Sequence, residues 1–193
     1  MSNPSPTVSY FSVSFNGEIE GVKDAEGSDG LFLQYQVVCG TDWQLLKGEA
    51  SGVTQTFQSL SRFSLTGNAV FNHPLSLQFR SSNISGWPRL VVTLYGMDLC
   101  RRRVVKGYGS IALPTQPGKH ERSIRLFVPR PSSLWVRFMG WLNGRPPIFN
   151  DPTCITQAEG REHLKVETAS GTVKISLNVL WKDHKPFDLS IAA

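Results

Sequence analysis

Cysteine is scarce in this chain: 193 residues hold three, Cys39, Cys100 and Cys154, far apart and odd in number. That pattern argues against the disulfide framework of a small secreted domain and for free thiols in a reducing compartment. Long apolar runs are missing as well, and nothing approaches the roughly 20 apolar residues that a membrane-spanning helix needs. The opening MSNPSPTVSYF has neither the basic start nor the apolar centre of a secretory leader, so an intracellular protein is expected. On that expectation the sequon Asn83-Ile84-Ser85 goes unused.

Patterns that carry chemistry are equally thin. His73, His120, His163 and His184 stand alone, with no histidine or cysteine at metal-ligand spacing, which argues against a zinc site. No glycine precedes Lys-Ser or Lys-Thr, so there is no phosphate loop, and no Gly-x-Ser-x-Gly elbow presents a nucleophile. Gly107-Tyr108-Gly109 begins like a dinucleotide fingerprint. It lacks the third glycine and continues as strand through Ser110-Ile111-Ala112-Leu113, so a bulge or a close strand approach accounts for it better. The expectation is a protein that is not an enzyme, with no catalytic residue, no metal and no cofactor.

What the chain does have is a folding composition and an uneven charge. It is 40% hydrophobic and 18% charged, which places it among globular rather than disordered chains. The net charge of +5 conceals two regions: residues 1–49 carry seven acids and two bases, net −5, whereas residues 98–145 carry ten bases and two acids, net +8. Arg101, Arg102 and Arg103 read as a turn with Lys106 just beyond, and Lys119, His120 and Arg122 as the next turn. Such a cluster suits an acidic protein face first and an anionic membrane surface second. Nucleic acid is not expected, because no nucleic-acid fold signature or interleaved exposed aromatics accompany the bases.

Along the chain, period-two alternation predicts strands at 11–15, 31–37, 53–57, 75–79 and 173–181, with a weaker one at 62–71. Asn16-Gly17 and Ser170-Gly171 read as turns, residues 21–30 as an acidic loop, and residues 41–51 as a loop around Trp43. The centre is a meander of strands near 89–95, 103–112 and 121–128. Gly86-Trp87-Pro88 opens it, and Pro88 holds Trp87 in extended geometry. One change of period predicts a short helix near 132–143, with Leu134, Phe138 and Leu142 on one face and Trp135 and Met139 beside it. Trp43, Trp87, Trp135 and Trp181 are expected in packing roles, while Trp141, late in that helix, is the candidate for an exposed docking residue. Eight or nine strands with one inserted helix predict an all-β, antiparallel β-sandwich. It forms one domain over residues 1–193, with a core of about 8–182 and frayed termini.

Several short motifs, taken together, resemble the B9 domain family: Asp42-Trp43, Gly86-Trp87-Pro88 with Tyr95-Gly96 after it, Gly107-Tyr108-Gly109, and Pro117-Gly118-Lys119-His120. Phe127-Val128-Pro129, Gly144-Arg145-Pro146, Asp151-Pro152 and Glu159-Gly160-Arg161-Glu162 extend the resemblance over nearly the whole chain. It implies a C2-like sandwich and a non-catalytic component of the Meckel syndrome/tectonic complex. That complex lies on the cytoplasmic side of the ciliary transition zone and basal body, where it supports ciliogenesis and gates the entry of membrane proteins. It also implies paralogous B9-domain proteins and other transition-zone proteins as partners. C2 domains that bind calcium do so through several loop aspartates. Here Asp98 stands alone before Leu99-Cys100 and three arginines, no Asp-x-Asp occurs, and Asp24, Glu26 and Asp29 read as a solvated loop. No calcium site is expected. The alternative function is therefore a calcium-independent module for anionic phospholipid. On either reading the candidate binding residues are Arg101, Arg102, Arg103, Lys106, Lys119, Arg122 and Trp141.

Overall fold

Alternation of apolar and polar residues carries through into nine strands among the residues that the computed structural model describes, which are 10–26, 30–58, 66–97, 101–129 and 166–183. They are β1 (Phe11–Glu26), β2 (Phe32–Val38), β3 (Trp43–Lys47), β4 (Ser51–Val53), β5 (Thr66–Ser81), β6 (Arg89–Met97), β7 (Arg103–Ala112), β8 (Gly118–Pro129) and β9 (Val166–Lys182). Every pairing is antiparallel, and the strand order is β3-β5-β1-β9-β8-β7-β6-β2-β4.

The sheet folds over at the junction of β7 and β8, which share the single register pair Tyr108↔Phe127. Gly109 makes the corner possible: a Cβ there would lie 2.6 Å from Ile124 Cγ2, so only glycine lets β7 pass this close over β8. The layer β3-β5-β1-β9-β8 then faces the layer β7-β6-β2-β4. The ring of Tyr35 on β2 lies 5.5 Å from that of His73 on β5, and Gln55 Nε2 donates to Phe71 O at 3.1 Å. Between the layers sits the core, built from the inward positions Phe11, Val13, Phe15 and Ile19 of β1, Leu33, Tyr35 and Val37 of β2, Leu90, Val92 and Leu94 of β6, and Val173, Ile175, Leu177 and Val179 of β9. An antiparallel sandwich of this kind is what the period-two reading predicts.

Several local expectations change. Asn16-Gly17 is not a turn: β1 continues through it, with Asn16 Oδ1 accepting from Ser76 Oγ at 2.8 Å. Glycine is required at 17 for close approach, since a Cβ would overlap the carbonyl oxygen of Ser176. Ser170-Gly171 likewise lies inside β9, where Gly171 takes a φ of 113°. From Thr66 on, the strands expected near 62–71 and 75–79 are one strand, β5, and Pro74 sits where β3 no longer pairs with it. Trp43 begins β3 rather than sitting in a loop. The helix expected near 132–143 lies outside the described residues.

Candidate functional site

Two ends of the sandwich gather the residues that the sequence marks out. At one end Trp43, Trp87, Trp181 and Phe11 form a continuous aromatic cluster. Trp43 meets Trp87 edge-on at 5.0 Å, Trp87 stacks on Trp181 at 5.5 Å, and Phe11 stacks on Trp181 at 5.4 Å. Such pairs add about 0.5–1.5 kcal/mol each beyond simple burial. Each indole N–H is also committed, donating at 2.8 Å to a loop carbonyl: Trp43 to Ser85, Trp87 to Leu113 and Trp181 to Thr115.

The loop backbones lock together around this cluster. Gly40 N donates to Gly86 O at 2.8 Å, and Leu113 N donates to Pro88 O at 3.0 Å. Gly86 has a φ of 71°, and a Cβ on it would come 2.5 Å from the Cα of Gly40. Ser81 Oγ bridges Asp42 O and Asn83 O at 3.0 and 2.6 Å. Asp42-Trp43 and Gly86-Trp87-Pro88, distant in sequence, are thus two halves of one structural joint. Its aromatic surfaces and donors are spent on the fold rather than left for a ligand.

The connection from β6 to β7 lies at the opposite end and carries the arginines. Arg101 is exposed with a φ of 57°, and Arg102 is exposed beside it. Arg103 opens β7 with its guanidinium 5.0 Å above the ring of Phe32, which itself stacks on Tyr95 at 4.9 Å with planes 5° apart. A cation over an aromatic face gains about 0.5–1 kcal/mol at an exposed site and holds the side chain in one direction. Lys106 occupies a bulge opposite the Leu94/Tyr95 step, and its stem passes over Gly96, where a Cβ would lie 3.0 Å from Lys106 Cε.

The remaining candidates are not brought to this end. Tyr108↔Phe127 sets β7 and β8 antiparallel, so Lys119 near the start of β8 sits about 30 Å away along the ten residues of β7. Lys119 pairs with Glu121 at 3.4 Å, both largely exposed, which is worth about 0–1 kcal/mol. Arg122 lies between the two ends and pairs in register with Ile175. Trp141 lies outside the described residues, as does Asp98.

The grooves formed by the described residues offer little chemistry. A shallow groove of about 320 Å³ on the outer face between β1 and β5 is lined by Glu18, Glu20, Lys23, Asn68 and Lys174 among others, with no histidine, cysteine or serine. Among the described residues, no group of three or more His, Cys, Asp or Glu is placed to hold a metal ion. Cys39 is half-buried with Sγ 4.0 Å from Trp43 O, and burial pushes its thiol pKa up, away from the reactive thiolate. Sequence reasoning missed the mounting of Arg103 on Phe32 and Tyr95. It also missed Arg80, whose guanidinium donates to Gln44 Oε1 at 2.8 and 2.5 Å beneath the ring of Tyr10. Both depend on cross-strand register, for which no local motif exists.

Residues 13–180 match the family model described as ciliary basal body-associated, B9 protein. B9 domain-containing protein 1 of Xenopus laevis is 40% identical over 177 residues, covering 92% of this chain and 87% of that protein. The human protein of the same name is 37% identical over 185 residues, covering 96% and 88%. Human B9 domain-containing protein 2 is 27% identical over 170 residues, covering 86% and 91%. Among solved structures, a C2 domain of plant Extended Synaptotagmin 1 aligns at 12% identity with a TM-score of 0.42, over 89% of this chain and 94% of that one.

Proposed function

The chain belongs to the B9 domain family of ciliary basal body-associated proteins, and on that premise we propose that it is a non-catalytic scaffold of the ciliary transition zone. In this role it docks paralogous B9-domain proteins on the cytoplasmic side of the transition zone. Through that assembly it supports ciliogenesis and the gating of ciliary membrane proteins. The observation that carries the reading is the fate of the family motifs. Asp42, Trp43, Gly86, Trp87 and Pro88 are consumed in joining loops, so they specify a rigid body whose faces, not pockets, are available to partners. Co-expression with B9 domain-containing protein 2 should yield a complex of fixed stoichiometry that survives size exclusion. Repeated recovery of the chain free of that paralogue would overturn the reading.

One observation favours a second, compatible role. Arg101 and Arg102 are exposed together at one end, and Arg103 is held beside them by Phe32. Each basic side chain near an anionic bilayer contributes about 1 kcal/mol. We propose that this end, without calcium, meets anionic phospholipid.

A further inference from the structure

The outer face of the layer β3-β5-β1-β9-β8 is arranged in cross-strand rows and is open to solvent except around Ser12, which is buried. Its middle is mostly short and polar: Ser14 pairs with Gln78 and Leu180, and the next row sets Asn16 between Ser76 and Asn178, with exposed Lys47 beside Gln78 on β3 and exposed Lys119 beside Asn178 on β8. Leu180 stands 54% exposed in the middle of this strip, where a solvated sheet face would normally carry a long charged residue. Short serine and asparagine side chains lose little rotamer freedom when covered.

Acids are confined to one margin of these rows, and the opposite margin is basic. At one margin Ser12 is flanked in register by Arg80 and Lys182. At the other, Ser176 is flanked by Glu18 on β1 and Glu121 on β8. The margins lie six residues apart along β1, about 20 Å. Arg80 is already fixed by Gln44 and Tyr10, so the basic margin is pre-organised.

We propose that this face is the seat of a symmetric dimer, and that its occupant is a second copy of this chain. A two-fold axis running across the strands at the level of Phe15 sets β1 of one copy antiparallel over β1 of the other. Glu18 then lies over Ser12 of the second copy, between its Arg80 and Lys182. Lys182 lies over Ser176 of the second copy, between its Glu18 and Glu121. Two-fold symmetry repeats every contact, so one acidic and one basic margin satisfy each other twice. A partner of a single charge sign would satisfy one margin and oppose the other. Five strands about 4.8 Å apart, covered for about 20 Å along their length, give a footprint of several hundred Å². At roughly 400–500 Å² it is about half of the 800 Å² that a standard specific interface buries on each partner, the size of a weak, concentration-dependent dimer. Twisted sheets stacked this way align within about 30°. The dimer does not depend on the scaffold reading, and recovery of a paralogue is scored separately from it.

The test is analytical ultracentrifugation of the full chain across concentration and salt, with circular dichroism to confirm that each variant folds. The wild-type chain should show a monomer–dimer equilibrium that weakens with added salt. Glu18→Lys should weaken the dimer about a hundredfold, since the like-charge contact it creates occurs twice. Lys182→Glu should do the same through a different strand, which guards against one variant failing to fold. Mixing the Glu18→Lys chain with the Lys182→Glu chain should restore dimers, because the exchanged pair is attractive again. A wild-type chain that stays monomeric at every concentration overturns the proposal. So does a dimer indifferent to both substitutions, or a mixture that fails to recover.

Discussion

Trp87 stacks on Trp181 with ring planes 26° apart, joining a residue just ahead of β6 to the next-to-last residue of β9. The two strands belong to opposite layers, so this contact closes one end of the sandwich. Trp87→Ala should cost about 3 kcal/mol, the low end for truncating a packed aromatic, because the side chain is half-buried. Trp87→Phe keeps a ring in the stack and loses the bond to Leu113 O, and should cost nearer 1 kcal/mol. Urea denaturation measures both. Equal costs would mean that the stack contributes little.

Gly86 and Gly118 both adopt positive φ, 71° and 111°, but only Gly86 faces backbone. An alanine Cβ at 86 would lie 2.5 Å from Gly40 Cα, whereas at 118 nothing stands within 4 Å. Gly118→Ala should therefore cost only the conformational strain, about 1–2 kcal/mol. Gly86→Ala should cost about 2 kcal/mol more, as it forces apart the loops that Gly40 and Gly86 join. Thermal melting of the two variants side by side checks the ranking.

This contrast marks what can be read from the sequence. Alternation in 31–37, 75–79 and 173–181 reports strands because each has one face in the core, and the structure places β2, β5 and β9 there. Turn dipeptides misled where glycine serves strand contact instead: Asn16-Gly17 carries the same letters as a hairpin, but its purpose depends on Ser176 across the sheet. The arginine connection was legible as a local cluster. That Lys119 lies at the far end was not, because it depends on the corner between β7 and β8, and Gly109 creates that corner only through Ile124.

Tyr35 predicts a pH effect. Burial first, and then the nearby charge of Glu49, push its phenol above the ordinary tyrosine value. The folded state therefore holds the proton more tightly than the unfolded chain does. The resulting stability is fully present below the unfolded tyrosine pKa and is lost as pH rises through the raised folded value. Tyr35→Phe removes this ionisation and should flatten the alkaline fall in the urea midpoint. An unchanged alkaline slope would assign that fall to other groups.

Lys119 and Arg122 lie along β8, away from the β6–β7 end, so a bilayer that meets that end does not meet them. If the β6–β7 end is the lipid-facing one, Arg101→Ala with Arg102→Ala should weaken binding to anionic vesicles by about 2 kcal/mol, roughly thirtyfold. Arg103 is left intact in that variant because its contact with Phe32 also shapes the strand end. Lys119→Ala with Arg122→Ala removes the same charge from the other region and should change binding by less than about threefold, the residual long-range effect after screening. Vesicle co-sedimentation at physiological salt, with and without calcium, separates the cases. Equal losses from both pairs would mean that net charge rather than one end drives adsorption, and loss from the Lys119 pair alone would move the membrane contact from the β6–β7 end to β8.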